Sequence, residues 1–146
     1  MISKLIKSAD WKAEKHVPVI TVVPSSTQSS TSQLSYEVEV SVGKEIPHPN
    51  TVEHHIAWIA LYYVAEGSQL PVELARANFA AHGPEIFAEP VLKATVRLPS
   101  PTPTNNSNSS HLPPTPTFNS NFSGTLHAVA YCNLHGLWES EASVSA

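Results

Sequence analysis

The residues best suited to do chemistry in this sequence stand near its end, in the stretch YCNLHGLW from Tyr131 to Trp138. This stretch contains the chain's one cysteine, Cys132, and His135 follows three residues later. A lone cysteine is most often a small buried apolar side chain. A thiolate and an imidazole at this spacing can also turn toward one metal ion, as they do in zinc, copper and iron sites. The motif by itself leaves both interpretations open.

Histidine is abundant, with eight in 146 residues, and several histidines are candidate metal ligands. The candidates are His16, His48, one of His54 and His55, and His135. Each lies at a predicted strand edge or loop, where functional side chains are usually carried. His54 and His55 are adjacent, so in a strand they point to opposite faces, and periodicity does not say which one faces a site. Alone, His16 is more typical of a surface histidine, and His82 and His127 are interpreted as structural or exposed.

The donor types restrict the metal. A thiolate with several imidazoles excludes hard ions such as Ca²⁺ and favours iron, copper or zinc. A blue-copper site usually adds an axial methionine, and the chain's one methionine is Met1. A closed structural zinc site takes four ligands and would leave at least one candidate histidine unexplained. Mononuclear iron uses every candidate, so the donor set favours iron and leaves the other two metals open.

The elements that must position these residues read as β-strands. β-Branched residues or apolar–polar alternation of period two mark five segments, and both features are typical of strands. These segments are 16–23, 34–43, 55–64, 91–98 and 125–132. A further strand is expected near 76–82, where a short helix over 70–83 is the alternative. Several short strands with little helix predict an all-β fold, a β-sandwich of immunoglobulin-like type.

Two tracts do not resemble structural elements. Residues 99–117, PSPTPTNNSNSSHLPPTPT, hold a large share of the chain's 13 prolines, and the polar character continues to about Ser123. Such a composition buries too little apolar surface to offset its ordering entropy, so residues 101–123 are interpreted as a disordered insertion. Residues 24–33 read as a polar loop. If the insertion is only a loop, the strands at 91–98 and 125–132 should pair as a hairpin.

Composition limits the class of protein. The net charge of −4 and the absence of a basic run argue against a nucleic-acid surface. One cysteine cannot form an internal disulfide, and no segment has the length of a signal peptide core or a membrane span. We therefore expect a soluble protein in a reducing compartment, the cytoplasm, with no membrane partner. The length predicts one domain, residues 1–146.

Four stretches carry a family resemblance that covers nearly the whole chain outside 24–33 and 101–123. They are SADWKAEKHVPVI, VGKEIPHPNTVEHHIAWIALYY, ANFAAHG and GTLHAVAYCNLHGLWES. With these motifs in this order, the sequence resembles superoxide reductases of the neelaredoxin type, the same module as the iron-binding domain of desulfoferrodoxin. The resemblance implies a seven-stranded immunoglobulin-like sandwich and a solvent-exposed mononuclear iron centre that cycles between Fe²⁺ and Fe³⁺.

The resemblance also assigns roles to residues. It implies four equatorial imidazoles, from His16, His48, His54 and His135, and an axial thiolate from Cys132. It thereby chooses His54 over His55. Glu14 matches a glutamate that can occupy the sixth position on ferric iron, and Lys15 matches a lysine expected to attract superoxide. Backbone N–H groups of the turn 133–135 are expected to donate to the Cys132 sulfur.

The implied activity is reduction of superoxide to hydrogen peroxide without release of dioxygen. An external donor, in the family often rubredoxin, re-reduces the iron, and relatives resemble dimers or tetramers. The chain lacks the four-cysteine module of full desulfoferrodoxin, has Val52 where a small polar residue is common, and adds the insertion at 101–123. The alternative function is a non-enzymatic iron protein for electron transfer, which would need no open coordination position beside Glu14 and Lys15.

Overall fold

A computed structural model describes residues 1–25, 33–99, 103–104, 117–118 and 123–145. After a short 3₁₀ turn at Ile2–Lys4, the described chain forms nine strands. They are β1 (Pro18–Pro24), β2 (Gln33–Val42), β3 (Ile56–Ala65), β4 (Val72–Asn78), β5 (Val91–Pro99), β6 (Pro103–Thr104), β7 (Thr117–Phe118), β8 (Ser123–Cys132) and β9 (Gly136–Ser145). No helix among the described residues has the length and apolar character needed to cross a bilayer.

Seven of these strands form two antiparallel sheets that pack face to face. One sheet has the order β1-β2-β5 and the other the order β4-β3-β8-β9. The fourth strand lies in the larger sheet beside β3, whereas in a constant-type immunoglobulin domain it belongs to the other sheet. The prediction of an all-β, seven-stranded immunoglobulin-like sandwich is confirmed. Among the residues that the structure describes, the remaining strands, β6 and β7, pair only with each other.

Alternation along the strands explains the core. In β8 every second residue is buried, and Leu126, Ala128, Ala130 and Cys132 have no exposed surface. Because successive side chains of a strand point to opposite faces, this spacing directs one whole face of β8 toward the other sheet. Burial of such apolar surface contributes about 25 cal/mol per Å², so this face adds to the free energy that holds the sheets together.

The predicted hairpin between 91–98 and 125–132 is wrong. Strand β5 pairs with β2, with Val91 opposite Ser41, whereas β8 pairs with β3 and β9. Each strand has one apolar face, and both faces belong to the same core cluster, with Leu92 and Leu126 among its members. The long connection between β5 and β8 therefore joins one sheet to the other. Alternation predicted both strands but could not choose their partners.

Two further differences concern strand positions. The strand expected near 76–82 lies earlier, at Val72–Asn78, and β9 was not predicted at all. In β9 the burial does not follow a strict alternation, which is why its sequence, GLWESEASVS, lacks the pattern of a half-buried strand. The predicted loop 24–33 and insertion 101–123 lie mostly outside the described residues, apart from their edges and the short β6–β7 pair.

Three connections meet at one end of the sandwich and carry the candidate ligands. The segment before β1 ends beside the start of the loop after β2, since Pro18 pairs with Val42. The loop before β3 lies beside the turn after β8, since Ile56 pairs with Cys132. Gly43 begins the β2–β3 loop with a φ of +82°, and a Cβ there would lie 2.5 Å from the backbone nitrogen of His48. A side chain at Gly43 would therefore displace His48.

Candidate metal centre

Four imidazoles form a ring at this end of the sandwich, in the order His16, His48, His54, His135. Each ring centroid lies 4.7–4.8 Å from the next, and adjacent ring planes are inclined by 67–75°. Across the ring, the centroids of His16 and His54 are 5.9 Å apart. Edge-to-face rings in a closed square direct one nitrogen each toward a common centre.

The nitrogen and sulfur atoms converge closely enough to share one ion. The donor atoms of His16, His48, His54 and Cys132 all lie within 4.8 Å of one another. His135 Nδ1 lies 3.0 Å from His16 Nε2, 3.2 Å from His54 Nε2 and 3.6 Å from Cys132 Sγ. Two nitrogens bound at right angles to one metal at ~2.1 Å would be ~3.0 Å apart. The structure thus brings together all five predicted ligands.

His48 supplies an independent test of the fit. Its Nδ1 donates a hydrogen bond to the carbonyl oxygen of Pro49 at 2.6 Å, which fixes the tautomer and leaves Nε2 as a lone-pair acceptor. Nε2 is buried and has no hydrogen-bond partner within the described part of the chain. A buried acceptor without a partner is costly. Its position in the ring fits a metal ligand, and the neutral imidazoles with one thiol suit iron.

His16 is held from two sides. Its Nδ1 donates to Glu14 Oε1 at 2.6 Å, and its backbone N–H donates to the same oxygen at 3.2 Å. The Trp138 indole stacks on the imidazole, with ring centroids 4.9 Å apart and ring planes inclined by only 13°. Only 6% of His16 is exposed, so the interpretation of His16 as a surface residue is wrong. Carboxylates that accept from a ligand imidazole fix its orientation and raise its basicity.

His54 lies in the ring and His55 lies outside it, as the resemblance implied. His55 stacks on His82 with centroids 3.6 Å apart, and its Nδ1 bonds to the Thr51 carbonyl oxygen at 2.9 Å. His82 bonds Asn50 Oδ1 through Nδ1 and the Phe79 carbonyl through Nε2, at 2.7 and 2.9 Å. The structural role expected of His82 agrees with these contacts.

Cys132 lies below the ring and has no exposed surface. Of the backbone N–H groups in the turn 133–135 that were expected to donate to the sulfur, that of Asn133 does not do so. That N–H bonds instead to the carbonyl oxygen of His55 at 3.1 Å, as a continuation of the β3–β8 ladder. His135, in contrast, is exposed, so the ring lies at the protein surface with the sulfur on its inner side.

Burial favours the neutral form of His16, His48 and His54, the form that metal binding requires. It lowers the pKa of His48 from 6.5 to about 4 and lowers the pKa of His16 and of His54. For His16 the hydrogen bond to Glu14 opposes the effect of burial, and the same bond is the main cause that lowers the pKa of Glu14. Three ring members are therefore ready to bind without releasing a proton at neutral pH.

Glu14 and Lys15 lie beside the ring, both partly exposed. The positive charge of Lys15 contributes to the lowered pKa of His16, His48 and His54, so the ammonium acts electrostatically on the centre. The Glu14 carboxyl bonds to His16, and this bond lowers its pKa further below neutral pH, so the group is the ionised carboxylate there. The roles predicted for these two residues and for the five ligands remain predictions, which this arrangement supports.

Sequence reasoning missed the contacts of Trp138, Asn133 and Lys7. The ammonium of Lys7 lies 5.2 Å from the Trp138 ring centroid, and its Nζ donates to the His135 carbonyl oxygen at 3.4 Å. The aromatic residues of YCNLHGLW were a sign that side chains pack around the centre. Nothing in the local sequence connects Lys7 to a residue 128 positions away.

Comparison with known proteins gives one consistent result. The desulfoferrodoxin family model matches residues 8–141. A candidate superoxide reductase of Archaeoglobus fulgidus is 46% identical over 144 residues, which covers 97% of this chain and 98% of that protein. A superoxide reductase of Pyrococcus horikoshii is 40% identical and covers 99% of each chain. The solved superoxide reductase (neelaredoxin) of Archaeoglobus fulgidus in the reduced form superposes with a TM-score of 0.68 at 42% identity, covering 97% and 99%.

The similarity to these relatives extends over nearly the whole chain. It agrees with the site seen in the structure, a ring of histidines above a buried cysteine. The resemblance seen in the sequence is confirmed, and so is mononuclear iron as the cofactor. The chain belongs to the desulfoferrodoxin family, on the neelaredoxin branch that includes the superoxide reductases.

Proposed function

We propose that this protein reduces superoxide to hydrogen peroxide at a mononuclear iron centre and is then re-reduced by an external donor. The observation that carries the proposal is the five-donor set: four converging imidazoles with the buried sulfur of Cys132 on one side. Such a set leaves the side opposite the sulfur for a small substrate. The bound iron would supply the electron, by cycling between its ferrous and ferric states.

The ligand roles follow from this arrangement. His16, His48 and His54 would bind through Nε2, and His135 through Nδ1, since these nitrogens face one another. Cys132 would bind as the thiolate, which donates electron density from the inner side. Because the imidazoles are neutral, the thiolate is the one anionic ligand of the set. With ferrous iron bound, these five ligands would leave the centre a positive charge, which would favour the approach of an anion.

Lys15 would assist that approach. Superoxide is an anion, and the protein as a whole carries a net charge of −4, which repels it. A local cation that acts on the ring offsets this repulsion, and such steering can raise association rates ~10-fold or more at low salt. The effect should weaken as ionic strength rises, because exposed charges are screened.

Glu14 would hold His16 and would not supply the protons. Its carboxylate is ionised at neutral pH and accepts from His16 Nδ1. The two protons needed to form hydrogen peroxide would then come from solvent at the exposed side of the ring, where His135 lies. Both bonds from His16, through its Nδ1 and its backbone N–H, use Oε1 of Glu14, and the role of Glu14 as sixth ligand to ferric iron stays a prediction from the family resemblance.

The electron donor, the compartment and the assembly are further parts of the proposal. Ferric iron must be reduced again after each turnover, and the family resemblance supports a rubredoxin-like donor. The chain's one cysteine cannot form an internal disulfide, which supports a reducing compartment such as the cytoplasm. A dimer or tetramer is proposed from the same resemblance, and a single domain over residues 1–146 is proposed from the length of the chain.

One experiment tests the activity. The purified iron protein is reduced anaerobically and mixed with superoxide, while peroxide, dioxygen and iron oxidation are followed together. We expect peroxide without dioxygen and one iron oxidised per superoxide. Dioxygen at half of the superoxide consumed would indicate dismutation. Bound iron that does not react would favour the alternative, an electron-transfer protein, and a protein that binds no iron would refute the site.

A further inference from the structure

Within the described part of the chain, Asn133 makes three hydrogen bonds, none of them to a metal-facing atom. Its Oδ1 accepts from the backbone N–H of His55 at 2.8 Å, and its Nδ2 donates to the carbonyl oxygen of Glu53 at 3.0 Å. Its own backbone N–H donates to the carbonyl oxygen of His55 at 3.1 Å. The residues that it binds, Glu53 and His55, flank His54 on both sides. One side chain thus fixes the backbone before and after a predicted ligand.

These bonds begin where the sheet ends. Ile56 and Cys132 are the last paired residues of β3 and β8, and the register shifts between Ile56 and Trp58. Beyond this pair the ladder has one more backbone bond, from Asn133 to His55. The side-chain amide of Asn133 then offers an acceptor and a donor in the arrangement of a peptide group, and so extends the ladder alongside the loop.

We infer that Asn133 is a positioning residue, which places the ligand His54 relative to the thiolate of Cys132. Asn133 directly follows Cys132 and lies two residues before His135, so its bonds join the turn that carries two predicted ligands to the loop that carries a third. The inference rests on the metal-binding part of the proposed function and not on the reaction with superoxide.

His54 depends on such backbone bonds more than His16 and His48 do. The His16 ring is fixed by Glu14 and Trp138, and the His48 ring by the Pro49 carbonyl. For His54 the fixing bonds are to its backbone and its neighbours: its N–H donates to Thr51 Oγ1 at 3.1 Å, and its carbonyl accepts from Thr51 N–H. Thr51 closes the loop on itself, whereas Asn133 attaches the loop to the rest of the site.

The test measures metal affinity with Co²⁺ as the probe, by competition with a chelator on the metal-free full-length protein. We expect Asn133→Ala to bind Co²⁺ 10–100-fold more weakly, the usual result of removing a group that orients a ligand. Asn133→Gln keeps the amide but displaces it by one methylene, so it should lose affinity by a smaller factor. The matched control is Asn78→Ala at an exposed position of β4, which should bind as the parent does.

A double-mutant cycle distinguishes positioning from general stabilisation. If Asn133 acts through His54, Asn133→Ala should cost at most about 3-fold in affinity when His54→Ala is already present, because effects on one shared partner are not additive. An equal loss in both backgrounds would overturn the inference, as would parental affinity in Asn133→Ala. If Asn133→Ala does not fold, Asn133→Gln takes its place in the cycle, and parental affinity there would count against the inference equally.

The absorption of the Co²⁺ protein gives a second readout. A displaced His54 should shift the d–d bands of Asn133→Ala while the sulfur-to-cobalt band remains, since Cys132 stays bound. Unchanged d–d bands would contradict a role in placing His54. Neither readout involves superoxide, so an inactive protein with this affinity pattern would refute the proposed reaction and leave the role of Asn133 intact.

Discussion

Two clusters of imidazoles lie close together at one end of this sandwich, and they differ in where their nitrogens point. In the ring of His16, His48, His54 and His135, adjacent planes are inclined by 67–75° and nitrogens face a common centre. In the pair of His55 and His82, the planes are 12° apart and the bonded nitrogens face carbonyl and amide oxygens. Convergent nitrogens without oxygen partners distinguish a metal site from a packed histidine pair.

The largest effect should come from replacing Cys132. Its sulfur is the donor that the ring has beside it and that the pair of His55 and His82 lacks. Replacing Cys132 with serine removes the thiolate, and the serine hydroxyl is a harder and weaker ligand. We expect loss of the sulfur-to-iron absorption and a fall in activity greater than the ~10–100-fold typical of an outer-shell change. Visible absorption of the oxidised protein and the superoxide assay check this result. A variant that keeps the absorption band would show that Cys132 is not a ligand.

The adjacent histidines allow a direct comparison of the two clusters. His54→Ala removes a predicted ligand and should weaken iron binding by more than ~10-fold. His55→Ala removes a stacked ring but keeps the two backbone bonds to Asn133, so it should change iron binding by less than about 3-fold. Iron affinity by chelator competition measures both. Equal losses would contradict the assignment of His54 to the ring.

Acid should act on the ring through His48. Its folded-state pKa, about 4, lies below the unfolded value of 6.5, so between these values the unfolded chain binds more protons. The metal-free protein should therefore be most stable above pH 6.5 and lose stability as pH falls toward 4, by at most about 3 kcal/mol from this group. Urea unfolding of the metal-free protein at several pH values measures this change in the free energy of unfolding. His48→Gln should flatten this part of the profile, and an unchanged slope would argue against burial as the cause.

The smallest effect on the metal centre is expected from shortening the tract 105–116, which contains no residue of either cluster. Residues 105–116 connect Thr104 to Thr117, which pair with each other, so a short Gly-Ser linker can replace them. This change should leave iron content and the absorption of the centre unaltered, since the ligands lie in other connections. Metal analysis of the shortened protein checks the prediction. Loss of iron would show that this tract supports the centre.

Sequence pattern was sufficient for most strands, because alternation is a local consequence of burial on one face. It predicted β1, β2, β3, β5 and β8 close to their observed positions. It failed for β9, whose burial does not alternate, and for the partner of β5. Strand pairing depends on which apolar faces meet across the core. The alternation in β5 and β8 is compatible with two arrangements. The two strands could pair with each other in a hairpin, or they could lie in opposite sheets of a sandwich.

For the candidate site, too, the features that depend on single residues or short motifs were predicted, and the contacts between distant segments were not. The types of residue, one cysteine and a set of histidines, already limited the metal to iron, copper or zinc, because donor softness is a property of the side chain itself. Motifs in order then identified the family. The fixing contacts of Trp138, Lys7 and Asn133 could not be predicted, since each joins segments that are distant in sequence.

The sequence by itself determined the all-β class, the donor types and the family, because these depend on local periodicity, side-chain chemistry and ordered motifs. Tertiary structure alone decided which sheet each strand joins and how the ring is built. Only it shows that His16 is buried against Trp138, that the Asn133 N–H serves the β-ladder and not the sulfur, and that His48 Nε2 has no partner among the described residues. The reason is physical: convergence of donors is a relation between loops, which closure of the two sheets brings together.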